Sequence, residues 1–518
     1  MKIYLLTLLC SLIFMDCSKS SGGGDPNGGA PAVHVYYVSA KGNDGNTGSV
    51  DKPLRSIGKA LGLVIPGDTV VVRGGTYYEQ IDFPTGGMMG RNVTLKAYPG
   101  ERPVIDGSNV TVSGWSALLT MRSMRYIVLD GLDICNLSAA IGSADPEGIA
   151  INGRSHDITI RNCNIYNIVN SSPLSNGRSG HAIFVLGTDN VSPISNLVIE
   201  YCTVHDTKTG TSENITLAGN VDGFTIRHNR IYNTENIGII IAGGDNLNPS
   251  GNVAINYARN GVISDNELYN VSMSNSVAVW GAGNYGAIAI YICGGAGAVV
   301  ERNRVYNCDR GIGLVSESKI YATLTSTVRN NFVYDCWRTG IYMGDYLNFI
   351  GMGTKSCAIV NNTLYHNNHS QGAFGEIEGE IRLTEHCDSN IIANNLVYAM
   401  DQDVFQHKYT GTGTGNVFAN NLYYTKGSPQ WIWGNVNGPA LTTLADWKTA
   451  SGGDTNALYG VDPLLVNVSS GPDLHIQAGS PAKGTGLVIA ANVNGNTDID
   501  GNPRIAGNKI DIGAQQLP

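Results

Sequence analysis

The sequence predicts an all-β chain: a right-handed parallel β-helix, a solenoid, with a short N-terminal capping helix. The first observation behind this is a recurring tetrad, Asn-x-apolar-Tyr. It stands at Asn229–Tyr232, Asn266–Tyr269, Asn303–Tyr306, Asn331–Tyr334, Asn362–Tyr365 and Asn395–Tyr398, with a worn copy at Asn421–Tyr424. Two earlier copies carry Cys in place of Asn, at Cys163 and Cys202, so the spacing runs from roughly 26 to 39 residues, a period typical of solenoids and arrays. The second observation is that each unit reads as short alternating strands broken by Gly, Asn and Asp, with no apolar face at helical spacing. Such a unit buries its apolar face only by stacking on copies of itself. Like residues then lie about 4.8 Å apart, and stacked Asn amides can hydrogen-bond along the ladder. A propeller would require four strands per repeat and a more even period.

The third observation is composition. The chain has 518 residues, 66 of them Gly, and 14% are charged. Abundant Gly suits tight corners between short strands. A net charge of −9 with no basic stripe argues against nucleic acid as a partner. Ten Cys form no CxxC pair and no zinc spacing, so no metal site is expected from them. Cys308 and Cys336 each follow the repeat Tyr by two residues and should stack on successive turns, as buried free thiols rather than a disulfide.

In chain order, Met1–Phe14 is one Lys followed by an apolar run too short to span a bilayer, which reads as an export signal. Residues 1–17 are therefore expected to be a signal peptide and residues 18–33 a flexible Ser/Gly linker. Val35–Val38 and Thr69–Val72 read as strands. Ser56–Val64 reads as an amphipathic helix with Ile57, Ala60, Leu61 and Val64 on one side, suited to covering the open end of the first coil. The β-helix is expected over 34–460 and a closing segment over 461–518.

Three stretches carry a resemblance: YYVSAKGNDG with PGDTVVVRGGTY, VTLKAYPGERPVIDG, and the C-terminal DPLL, GSPAKGTG and DIDGNPRIAGNKIDIGA. With the tetrads, they resemble the pectate-lyase-like β-helix superfamily. That fold hosts lyases, glycoside hydrolases, epimerases and binding proteins, so it leaves the reaction open. The signal and Cys17 resemble those of a bacterial lipoprotein, which implies lipidation of Cys17. The protein would then sit in the cell envelope, anchored by lipid at the outer membrane or cell surface; ordinary signal cleavage would make it secreted instead.

The strands that follow the tetrads can be overlaid. Ile239, Ile290, Ile312, Ile341, Ile381 and Val404 fall in one inward column, and Ile240, Tyr291, Gly313, Tyr342, Arg382 and Phe405 in the outward one. Glu380 and Asp403 precede the inward column. Glu317, Asp345 and Glu385 end three consecutive strands. Carboxylates one turn apart should lie near 5 Å and two turns apart near 10 Å, against about 5–5.5 Å for retaining and 6.5–9.5 Å for inverting glycosidases. This suggests a glycoside hydrolase with Glu317 as acid/base and Asp345 as nucleophile. Tyr291 and Tyr342 would offer faces to sugar rings, and Arg382, Glu380, Glu385 and His386 would contact substrate. GIIIAGGD, AIYICGGAGAVVERN and GIGLVSES resemble a bacterial group of β-helix proteins active on polysaccharides, β-xylosidases among them. In that group an Asp often stands where this chain has Cys293, and another where it has Ile288.

Two alternatives stay open. A polysaccharide lyase would use a base such as Lys319, Lys408 or Arg338, with calcium neutralising a uronate; a hydrolase needs no cofactor. A glycan-binding surface protein would need no catalysis. His181, His366, His369 and His407 are further titratable candidates. The partner expected in each case is a polysaccharide or oligosaccharide, the membrane is met through the anchor alone, and the chain is expected to be a monomer. The loops Asp245–Asn256 and Asn270–Gly286 are long for corners and are where specificity is expected.

Overall fold

A computed structural model describes residues 32–244, 248–249, 251–345, 351–370, 378–401, 403–408, 413–434 and 438–518. The expected signal, Cys17 and nearly all of the linker lie outside them. Three long parallel sheets wind around one apolar core. Each turn contributes a strand to a base sheet that begins with Val35–Val38 and Thr69–Val72. It then contributes one to a ladder sheet that carries the tetrads, and one to a groove sheet that includes Ile237–Ala242, Ile288–Cys293, Arg310–Ser316 and Ile341–Asp345. The N-terminal helix spans Ile57–Leu61, shorter than the expected 56–64. Asp44, in the GNDG turn, accepts hydrogen bonds from the N–H groups of Arg55 and Ser56 and fixes the helix entry.

The tetrad Asn residues are buried at the corner between base and ladder sheets. Asn303 shows the pattern. Its Oδ1 accepts from the backbone N and Nδ2 of Asn266, both at 3.0 Å, and its Nδ2 donates to Ile263 O at 3.0 Å. Its own N–H donates to Asn331 Oδ1 at 2.9 Å. The residue before each Asn has positive φ, including Asn330, Asn361, Asn394 and Asn420. This left-handed conformation turns the chain at the corner and favours Asn. The ladder runs from the Cys202 N–H, which donates to Asn229, to Asp454, which accepts from Asn421. Asp454 also accepts from Tyr423 and Trp447, and Trp447 belongs to the helix Leu444–Ser451 at the C-terminal end of the core. The sequence reading had foreseen a helix at the other end only.

The tetrad Tyr side chains face outward; the earlier ones stack, and Tyr365, Tyr398 and Tyr424 meet edge-on. Centroids of Tyr232, Tyr269, Tyr306 and Tyr334 lie 4.9, 5.1 and 4.9 Å apart in succession. Cys308 and Cys336 are buried free thiols, and burial pushes Cys308 up to about 12. The closing segment packs Leu474, Ile476, Ile499 and Ile512 on the outer face of the ladder sheet, against Phe332, Tyr365 and Leu396. Its carbonyls take hydrogen bonds from Asn330, Asn361, Asn394 and Asn420.

Replacing one ladder Asn strips a donor and an acceptor from two neighbouring turns. Asn331→Ala is expected to cost about 2–4 kcal/mol, since each buried polar group left without a partner costs about 1–3 kcal/mol. Urea unfolding measures it. A loss below about 1 kcal/mol would mean that the amide column is not a principal tie between turns.

Candidate functional site on the outer face of the groove sheet

The register places Ile239, Ile290, Ile312, Ile341 and Ile381 in one inward column, as expected. The last turn differs. Ile381 pairs with Gln406 rather than Val404, and the same strand is irregular between Val404 and Gln406 against the following strand, Gln430–Trp433. The outward column therefore runs Ile240, Tyr291, Gly313, Tyr342, Arg382, His407, and Phe405 belongs to the core. Gly313 is required between the two Tyr rings. A Cβ there would lie 2.8 Å from Tyr342 and 2.9 Å from Tyr291.

The groove floor is an apolar cluster outside the main core, which includes Phe184, Ile240, Ile288, Tyr291, Cys293 and Tyr342. A cavity of about 360 Å³ opens over it, reaching from Glu213 to Glu317 and walled by Met273 and Trp280. Those wall residues come from the Asn270–Gly286 loop. The Asp245–Asn256 loop lies partly outside the described residues. Trp280 donates to Glu235, which is paired with Arg178 at 2.8 Å in a buried ion pair. The loop is thus tethered to the coil beneath it.

Glu317 is exposed at the groove end, and its Oε1 accepts a hydrogen bond from the Tyr291 hydroxyl at 2.7 Å. Burial raises the Tyr291 hydroxyl well above its ordinary range, so it stays a donor. Asp345 does not share the Glu317 column. It pairs with Ser316 and lies at the opposite parity, so the two residues are diagonal neighbours, about 6 Å apart at Cα from the strand and residue spacings. Asp345 is buried and bonded to His386 Nδ1. Burial raises its pKa, and the His386 bond opposes that rise.

Glu380 is not in contact with solvent. Its carboxylate accepts from Asn367 N at 2.9 Å and Nδ2 at 2.6 Å, so it closes a corner rather than facing the groove. Burial and the nearby Asp403 raise its pKa, and burial pushes Asp403 itself up to about 7. Arg382 is buried against Glu378, 2.9 Å away, and Arg338 and Arg310 face the same carboxylate. Glu385 and Lys319 are exposed. Lys408 is buried, which lowers its pKa, and its Nζ donates to Thr384 O at 3.4 Å. His407 is buried in the outward column. His366 stacks on Tyr365, and His369 approaches Asp335 at 3.4 Å; both belong to the ladder-sheet side. Among the described residues no group of three or more His, Cys, Asp or Glu is arranged to hold a metal ion.

Sequence reasoning missed a polar column at the starts of earlier groove strands. Glu147 pairs with His181, and His181 continues to Glu213 in the same register. His181 Nδ1 lies 3.0 Å from Glu213 O and 2.9 Å from Thr216 Oγ1, and its ring stacks on Phe184 at 4.3 Å. Burial lowers its pKa. Burial, helped by Asp145, pushes Glu147 up to about 8. The available signal was a charged residue opening three successive strands, DPEGIAIN, HAIFVLG and ENITLAG.

Glu378 shows the charge balance under the groove. Burial would raise its pKa, but Arg382, Arg310 and Arg338 together hold it down at about 2. A depressed folded-state pKa stabilises above the unfolded value near 4.5 and loses that contribution as pH falls toward 2. Glu378→Gln is expected to cost about 3–5 kcal/mol at pH 7, as for a broken buried pair, and to flatten the acid limb of stability between about pH 4.5 and 2. Melting temperatures across that range check both.

Residues 36–239 match the family model described as Pel9A-like, right handed beta helix region. The chain is 31% identical over 450 residues to the uncharacterized protein YwoF of Bacillus subtilis, covering 86% of this chain and 92% of that protein. A stretch of 84 residues, 15% of this chain and 20% of the other, is 38% identical to the pectate lyase PEL9 of Emericella nidulans. The crystal structure of pectate lyase Pel9A aligns with a TM-score of 0.46 at 14% identity, over 94% of this chain and 96% of that one. The chain belongs to the family of YwoF, built on a Pel9A-like right-handed β-helix.

Proposed function

We propose that this protein is an enzyme that cleaves a polysaccharide lying in the groove, and that it does so by hydrolysis. The observation that carries this reading is Glu317, an exposed carboxylate oriented by the Tyr291 hydroxyl at 2.7 Å, at the end of an apolar, aromatic-lined groove. Apolar and aromatic floors with a few placed polar groups are the usual make-up of such sites. Glu317 is exposed and takes the Tyr291 hydroxyl as its donor. Asp345 is buried, which favours its protonated form. The roles are therefore assigned opposite to the initial expectation: Asp345, oriented by His386, protonates the leaving oxygen as the glycosidic bond breaks, Glu317 supports the positive charge that develops on the sugar carbon, and a water then adds to that carbon and returns its proton to Asp345. The stretch shared with a pectate lyase supports a polysaccharide as the substrate class.

A second reading, β-elimination, is favoured by one observation. Burial lowers the Lys408 pKa, which is the tuning a lysine base requires. Digests of plant and algal polysaccharides separate the readings. New reducing ends without ultraviolet absorbance of an unsaturated uronide support hydrolysis. Both signals together, abolished by Lys408→Met, would replace hydrolysis with elimination. Neither signal across the panel would leave glycan binding alone. For hydrolysis, Glu317→Gln and Asp345→Asn are each expected to lower kcat by about 10²–10⁴ with little change in KM. Intact turnover in both variants would rule out this pair.

A further inference from the structure

We propose that Trp115, Phe184 and Glu147 form a binding subsite for an uncharged sugar unit, in which the Glu147 carboxyl group donates a hydrogen bond to a sugar oxygen. The proposal rests on the reading above only in taking the ligand to be a glycan. The subsite lies on the outer face of the groove sheet, several turns before Glu317, over the strands Trp115–Arg122, Asp145–Asn152 and His181–Gly187.

A cavity of about 170 Å³ is lined there by Trp115, Glu147, Phe184 and Arg122, among others. Trp115 is 60% exposed, a large apolar surface left to water. It meets Phe184 edge-on at 5.6 Å and 87°, so the two rings form a corner. Such a corner offers a face to the C–H side of a sugar ring. Glu147 is 2% exposed, and its Oε1 has no hydrogen-bond partner among the described residues. A buried carboxyl with no partner is unfavourable, and a ligand hydroxyl would remove that penalty.

The charged and titratable groups around Glu147 specify the ligand. Asp145 is on its own strand, Arg122 on the strand before, His181 on the strand after, and Glu213 one turn further. Desolvation and Asp145 both oppose ionisation of Glu147, which holds its proton up to about pH 8. Asp145 and Glu213 nearby disfavour a uronate and Arg122, exposed at the cavity lining, favours one; Glu147, which offers a proton donor rather than a charge, makes a neutral sugar the matching class.

The test uses protein carrying 5-fluorotryptophan and fluorine NMR, with the Trp115 signal identified by its loss in Trp115→Phe. The probes are neutral hexasaccharides of glucose, xylose, mannose and galactose, together with hexagalacturonate. At least one neutral probe is expected to shift the Trp115 signal, and hexagalacturonate to bind more weakly. Glu147→Gln keeps a donor and should bind like the native protein. Glu147→Ala should bind about tenfold more weakly. Native affinity should fall as pH rises through about 8, and that of Glu147→Gln should not. The proposal is overturned if no neutral probe moves Trp115, if hexagalacturonate binds tighter, if Glu147→Gln fails like Glu147→Ala, or if native affinity is flat across pH 8. Trp115→Ala, at an exposed position, tests the aromatic face without disturbing the core. Turnover with a silent Trp115 would overturn the subsite and keep the hydrolase. A Trp115 response without turnover would do the reverse.

Discussion

The buried amide column at the corner between base and ladder sheets is the interaction on which the rest of the molecule depends. A corner residue with positive φ turns the chain, and the following backbone N–H points along the stack rather than into a strand ladder. Each Asn Oδ1 takes that N–H from the preceding turn, and each Nδ2 reaches a base-strand carbonyl such as Ile263 O. Neutral hydrogen bonds contribute only about 0.5–1.5 kcal/mol each, but leaving such groups buried and unpaired costs more. The column therefore penalises any slip between turns more than it rewards any single contact. Once that corner is in register, every other column is aligned as well, including the Tyr stack outside and the isoleucine column within.

This is why much of the fold was legible. Strands Val35–Val38 and Thr69–Val72 and the isoleucine column follow from period-two alternation against a fixed Asn marker. The alternation carries information because one face of each sheet is buried and the other is not. It fails where the backbone gains a residue without any change in composition. The irregularity at Val404–Gln406, seen against the following strand, does that, and Phe405 lies in the core. A bulge has no residue signature in so short a strand. The C-terminal helix was missed for a related reason. Its apolar anchor is chiefly Trp447, too sparse a pattern to show helical spacing.

At the site, legibility stopped where side chains leave the regular strand. Tyr291 and Glu317 were readable because both hold outward positions on adjacent groove strands. Asp345 was not, because counted from the paired Ile312 and Ile341 it falls opposite Ser316, one position short of Glu317, although both look like strand ends. Glu380 was read as a groove residue, but Asn367 takes its carboxylate at a corner. Burial cannot be read from charge alone in a solenoid, where a corner can enclose a carboxylate as completely as a core encloses leucine. Glu147 was missed, and His181 was read only as a lone titratable residue, because the aligned strands begin at Ile239, downstream of both.

The geometry of a parallel stack explains why acidic groups gather at the two margins of the groove. The middle of each strand faces the apolar floor, where an unpaired charge would be desolvated at high cost. The strand starts hold Glu147, His181 and Glu213, and the strand ends hold Glu317, Asp345 and His386. Each turn advances these columns by about 4.8 Å, so a polymer lying along the axis meets repeated floor contacts with polar groups on either side. Groups at the two margins need not share an environment. Glu147 is closed in by its neighbours, and burial pushes its pKa up to about 8, whereas Glu317 reaches solvent and takes a hydrogen bond from Tyr291. One sheet face thus places a buried and an exposed carboxyl group several turns apart along a single groove, a difference in environment that is set before any substrate arrives.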